Sequence, residues 1–149
     1  MSYNDKSLTA IGFKPAESGA DITIKIWEGS DAQNLIFEQE IDDYTVNEWN
    51  DISLNIQLPI SDFETIWVGY EIANSEYIYA AGIDQGPAVA GKGDMVSLDG
   101  GSWESMSAIY GLSYNFLIRT MVSADSTMPA TVIGWNQDPQ LNETYKSTN

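Results

Sequence analysis

Three aspartates, Asp84, Asp94 and Asp99, fall within one glycine-rich stretch that reads Gly82-Ile83-Asp84-Gln85-Gly86-Pro87, then Gly91-Lys92-Gly93-Asp94, then Asp99-Gly100-Gly101. Carboxylates and loop carbonyls are the hard oxygen ligands that Ca²⁺ takes, so Asp84 and Asp94 are the candidate metal ligands and calcium is the one cofactor with candidate donors. Binding is expected to be weak if it occurs, on the order of 10⁻⁴ to 10⁻³ M as in extracellular modules. Aspartate beside glycine also makes local turn hydrogen bonds, and that reading stands beside the metal one.

The second set of residues with usable chemistry is aromatic. Trp27, Trp67 and Trp103 are candidates for a ligand-binding patch, since indole rings stack on sugars and anchor protein partners. Strand parity places Trp27 opposite Ile22, Ile24 and Ile26, and Trp67 opposite Ile66, Val68 and Tyr70. Tryptophan is also a frequent core or sheet-edge residue, so a structural role is the competing reading.

Catalytic machinery is sparse. The chain has no Cys and no His, which removes Cys-His and Ser-His-Asp arrangements and the commonest zinc ligands. Carboxylate pairs remain available, but their roles are set by spacing in space, and acids clustered in wet turns stay ionised together. Gly91-Lys92-Gly93-Asp94 lacks the surrounding Gly-x-x-x-x-Gly-Lys-Ser/Thr of a phosphate loop and reads as a turn. The expectation is a non-catalytic protein.

The elements that must position these residues are strands. Asp21 to Trp27 alternates Ile22, Ile24, Ile26 against Thr23, Lys25, Trp27, and Ile52, Leu54, Ile56, Leu58 alternate with polar residues until Pro59. Leu35 to Ile41 completes a hairpin with Asp21 to Trp27, and Ile66 to Ile72 alternates again. Ser7 to Phe13 alternates weakly. Ser61 to Glu64 has room for one helical turn. Between Ala81 and Gly101 lie six glycines and one proline, so pairing there is expected only around Asp94 to Leu98. Trp103, Met106 and the segment Tyr114 to Val122 are expected to complete the sheets. The count of eight or more strands without a sustained helical period implies an all-β jelly-roll sandwich of two antiparallel sheets, with no helix longer than about two turns.

The 149 residues fit one domain, read as a jelly-roll sandwich over 1–122 and a closing strand or linker to a following module over 123–149. Six basic against 22 acidic side chains give a formal charge of −16, which repels phosphate backbones and anionic lipid. Nucleic acid and membrane insertion are therefore not expected. Met1 to Asp5 lacks the basic start and apolar centre of a signal peptide, leaving a cytoplasmic protein or a piece of a longer precursor.

The ordered series Ile22-Thr23-Ile24-Lys25-Ile26-Trp27-Glu28-Gly29, Trp49-Asn50-Asp51-Ile52-Ser53-Leu54, Ile66-Trp67-Val68-Gly69-Tyr70, Gly82 to Pro87, Gly91 to Asp94, Gly101-Ser102-Trp103 and Asn115 to Arg119 resembles the jelly-roll modules of the cleaved-adhesin or gingipain haemagglutinin type, over roughly residues 7 to 122. The resemblance implies a secreted or cell-surface accessory module cut from a longer bacterial precursor, with neighbouring domains and a host or matrix protein or glycan as partners. The implied role is adhesion or substrate targeting. A carbohydrate-binding module proper and a structural spacer beside a peptidase domain are the alternatives. The long crossing lacks the dense Asp-Gly-Asp run of calcium-rich members, so metal binding carries over poorly.

Overall fold

A computed structural model describes residues 5–73 and 80–123. The described residues are all-β, in antiparallel sheets with almost no helix. The strands are β1 (Ser7–Phe13), β2 (Asp21–Glu28), β3 (Asn34–Ile41), β4 (Asn50–Pro59), β5 (Ile66–Ala73), β6 (Met95–Val96), β7 (Glu104–Ser105) and β8 (Ile118–Ser123). They form two three-stranded sheets, β4-β1-β8 and β3-β2-β5, and a short β6-β7 hairpin. A single 3₁₀ turn, Ile60–Asp62, follows β4. Helix α1 spans only Met106–Tyr110. The closing strand or linker expected over 123–149 lies outside the described residues except for Ser123, which ends β8.

Two central strands supply half of the buried core residues. In β2 the period of two works as the sequence predicts: Ile22, Ile24 and Ile26 are buried on one face, each contributing about 1.5–3 kcal/mol of burial free energy. Phe13 and Ile11 of β1 are fully buried, and one cluster joins them to Leu54 and Leu58 of β4, Val122 of β8 and Phe37 of β3. Side chains from both three-stranded sheets thus share one core.

Strand β1 alternates weakly in sequence because both of its faces are covered. Thr9, Ala10 and Gly12 are buried along with the larger residues, as expected of a middle strand whose outer face is roofed by its neighbours' side chains.

Strand β4 departs from its strict alternation. Its register with β1 runs from Asn50↔Phe13 to Ser53↔Ala10 and then resumes at Leu58↔Leu8, so β4 bulges outward against a short step of β1. Ile56, which parity assigns to the core beside Leu54 and Leu58, is 47 % exposed as a result. The Gln39 side chain of β3 bridges to this bulge, donating from Nε2 to the Ser53 carbonyl (3.1 Å) and accepting from the Asn55 N–H (2.9 Å). One amide thereby ties an edge of one sheet to an edge of the other.

Two further expectations are corrected. Met106 begins α1 rather than a strand, because the Ser105 hydroxyl accepts from the Ala108 N–H and caps a helical turn that Gly111 ends in the left-handed conformation. Tyr114 to Leu117 is irregular apart from an isolated bridge between Phe116 and Ile83, and regular pairing starts at Ile118.

Candidate functional site

The irregular crossing from Ala80 to Leu117 is built on its own two limbs. Leu117 N–H donates to the Gly82 carbonyl (2.8 Å), Asp84 N–H to the Asn115 carbonyl (2.9 Å), and Phe116 N–H to the Gly93 carbonyl (2.8 Å). The base is fastened to the end of β1 through Lys14 N–H to Leu117 O and Ala16 N–H to Ala80 O. Gly82 is required there by close approach: a Cβ would collide with the Lys14 carbonyl oxygen.

Each aspartate of the crossing is a hub for nearby donors. Asp84 Oδ1 accepts from the N–H groups of Gly86 (2.8 Å) and Asn115 (2.7 Å), and Oδ2 accepts from Asn115 Nδ2 (2.9 Å). Asn115 also donates to the Pro87 carbonyl and accepts from Val89 N–H (2.6 Å), so one amide organises both limbs. Asp94, fully buried, accepts from Gly91 N–H on Oδ1 (2.8 Å) and from Ser105 Oγ (2.6 Å), Ser107 N–H (3.1 Å) and Ser107 Oγ on Oδ2. Asp99 Oδ1 gathers Gly101 N–H, Ser102 N–H and Ser97 Oγ at the tip of the β6-β7 hairpin.

These bonds set the electrostatics. Burial works against ionisation of Asp94, but the hydrogen bonds from Ser105, Ser107 and Gly91 outweigh it and hold its carboxyl far below the ordinary carboxylate value. The N–H groups of Ser102 and Gly101, with the Ser97 hydroxyl, lower the Asp99 carboxyl to about 2. The Asn115 side chain and backbone, with Gly86, lower that of Asp84. All three are anions stabilised by protein donors.

A cation at Asp84 or Asp94 would compete with these donors. Of the four N–H or O–H groups on Asp94, three converge on Oδ2 and one on Oδ1, and a metal at Oδ2 would have to displace them. Among the described residues there is no group of three or more Asp, Glu, His or Cys side chains placed to hold a metal ion. Asp84 and Asp94 are each surrounded by their own donors.

The three tryptophans do come together. Trp27 and Trp67 are cross-strand partners on β2 and β5, and the Trp103 ring from the crossing meets Trp27 edge-on, 5.0 Å between centroids at 82°. Trp27 is buried at 8 % exposure, lying against Gly69, where a Cβ would sit 3.0 Å from its Cζ3. Trp67 is half-buried and its indole N–H donates to the Gly29 carbonyl (2.8 Å). The cluster covers part of the outer face of the β3-β2-β5 sheet and seats the crossing upon it.

The crossing offers large apolar side chains to solvent among its exposed glycines and polar residues. Of the nine exposed large hydrophobic residues among those described, six lie in it: Ile83, Val89, Leu98, Ile109, Tyr110 and Leu112. Leu98, at 86 % exposure, stands beside the Asp99 hub, and the Tyr110 hydroxyl bonds Glu104 Oε2 (3.1 Å), joining α1 to β7. Sequence patterning missed this set, since an isolated leucine between serine and aspartate has no periodic partner. Ser105, Ser107 and Asn115 were equally invisible, because Asn115 meets Asp84 across 31 residues of chain.

Beside the tryptophans on the same outer sheet face is an open polar depression lined by Thr23, Lys25, Glu38, Glu40 and Glu71. Lys25 Nζ bonds Glu71 (2.7 Å) and approaches Glu38 (3.9 Å), with 53 % and 62 % of those glutamate side chains exposed.

No helix among the described residues is long and apolar enough to cross a membrane. No protein-family model matches the sequence, and no curated protein or solved structure matches the chain.

Proposed function

We propose that the chain is a non-catalytic adhesion or substrate-targeting module of a secreted or surface protein, folded as a jelly-roll sandwich and similar to the cleaved-adhesin type. It meets a protein or glycan partner through the crossing. The observation that carries this reading is the concentration of exposed apolar side chains on the crossing, above a frame whose aspartates are occupied by internal hydrogen bonds. Loops presented on a rigid frame lose little conformational entropy on binding, and exposed aliphatic and aromatic residues are the usual anchors of such contacts.

The open depression around Lys25 favours this reading over a glycosidase. A general-acid carboxyl needs an apolar surrounding that raises its pKa, whereas these glutamates are exposed and share an ammonium partner. The test is retention of the whole chain on immobilised collagen and fibronectin, comparing the wild type with Leu98→Ser and Tyr110→Ser. Loss of retention in both, with unchanged circular dichroism, supports the reading. Undiminished retention of both variants removes the crossing as the contact surface, and cleavage of a glycoside lost on an Asp or Glu substitution refutes the non-catalytic assignment.

A further inference from the structure

On the outer face of the β4-β1-β8 sheet, an aromatic ring, a carboxylate and a guanidinium are held side by side around a glycine. Gly12 of β1 pairs with Asp51 of β4 on one side and Arg119 of β8 on the other. With no side chain on Gly12, Arg119 reaches across the middle strand to Asp51, donating from Nε (3.0 Å) and Nη2 (2.7 Å) to Oδ1 and from Nη2 to Oδ2 (2.6 Å). The guanidinium carbon also lies 4.4 Å from the centroid of the Trp49 ring.

The backbone behind the ring is fixed. Asn50 Oδ1 accepts from Thr45 N–H (2.7 Å), and Asn50 Nδ2 donates to the carbonyls of Thr45 and Glu48 (both 2.9 Å). Asn47 adopts the left-handed conformation with φ 61° and donates its N–H to the Pro15 carbonyl (2.8 Å). Trp49 is therefore placed before any ligand arrives, while 39 % of its surface stays in solvent. Arg119 and Asp51 keep 28 % and 40 % of their side chains exposed.

We infer that this surface is a sugar-binding site for a neutral pyranose ring of a polysaccharide or glycan. Arg119 lies over the indole ring, and the 39 % of Trp49 left in solvent is the surface offered to the apolar C–H face of the sugar. Vicinal hydroxyls find acceptors on Asp51 and donors on Arg119, whose guanidinium carries more N–H groups than the ion pair uses. A flat ring flanked by both a donor and an acceptor matches a diol better than an aliphatic peptide anchor. The ion pair is neutral as a unit, and the formal charge of −16 on the whole chain disfavours uronic-acid or sulfated glycans. This site is separate from the crossing and does not depend on it.

The experiment is native affinity electrophoresis of the whole chain in gels cast with a soluble β-glucan, a galactomannan or a xylan. Retardation is expected in at least one gel. Trp49→Leu should weaken it by at least roughly fivefold, the factor that an aromatic contact of ordinary strength represents. Trp49→Phe should retain most of it, and Asp42→Asn, in an exposed turn, all of it. A wild-type chain that runs unretarded in all three gels overturns the inference, as does Trp49→Leu running like the wild type. If Trp49→Leu loses the wild-type circular dichroism spectrum, Asp51→Asn takes its place and unchanged retardation overturns the site. Retardation lost in Leu98→Ser but kept in Trp49→Leu would also overturn it, by moving sugar binding to the crossing. Loss of matrix-protein retention in Leu98→Ser with sugar binding intact would leave both surfaces standing.

Discussion

Replacing Asp94 with asparagine changes one oxygen and tests whether the crossing depends on a buried anion. Two of the four donors converging on that carboxylate are main-chain N–H groups, from Gly91 on one oxygen and Ser107 on the other. An asparagine can present its carbonyl to only one of them, so its NH₂ must face the other, and a backbone donor is left buried without an acceptor. The serine hydroxyls can rotate to accept, but a backbone N–H cannot. An orphaned buried donor costs about 1–3 kcal/mol, and the exchange of charged for neutral hydrogen bonds adds about 1 kcal/mol. The expected loss is thus about 3 kcal/mol, which at roughly 2–4 °C per kcal/mol for a chain near this length lowers the melting temperature by about 6–12 °C. Differential scanning calorimetry reads the shift, and amide exchange at Gly91 and Ser107 reports whether the crossing opens first. Asp42→Asn, in an exposed turn, is the control and should stay within about 0.5 kcal/mol of wild type. A melting temperature for Asp94→Asn within about 2 °C of wild type, with both amides still protected, would refute the reasoning.

Acid should loosen the same region. The carboxyls of Asp84, Asp94 and Asp99 are lowered in the folded state, so their contribution is fully present above the unfolded value near 4 and is lost as pH falls below it. A thermal series from pH 6 to pH 2 should show the melting temperature dropping below about pH 4, less steeply in Asp94→Asn, and parallel curves would contradict this. Gly12→Ala should cost about 1–3 kcal/mol by urea titration, because its Cβ would fall 2.7 Å from Arg119 Cγ and push the ion pair off the strand. An unchanged midpoint would mean that the pair swings aside freely. Millimolar Ca²⁺ should leave the melting temperature unchanged, since the crossing aspartates already face protein donors. A rise of several degrees that Asp84→Asn or Asp94→Asn abolishes would establish a metal site there.

The local residue pattern is enough to find the strands whose two faces differ. Ile22, Ile24 and Ile26 are buried in β2 as their spacing predicts, because a period of two survives wherever one face is wet and the other dry, whereas β5 forms over Ile66 to Ile72 with both faces of its first five residues partly covered. The pattern also marked the crossing as irregular through its glycines, and Asp84, Asp94 and the tryptophans as its notable side chains. What those side chains touch follows from how the sheets and the crossing pack together. Strand β1 alternates weakly because its neighbours cover its outer face, and Ile56 is exposed because β4 bulges, neither of which is encoded in local spacing. Whether Asp94 faces a cation or two serines depends on where Ser105 and Ser107 are brought by the β6-β7 hairpin. Trp27 is buried under Trp103, whereas Trp49 keeps 39 % of its surface in solvent beside Arg119. Periodicity records the polarity of a residue's surroundings averaged along a strand, whereas a site is made by contacts between residues far apart in the chain, and those are set when the sheets and the crossing pack together.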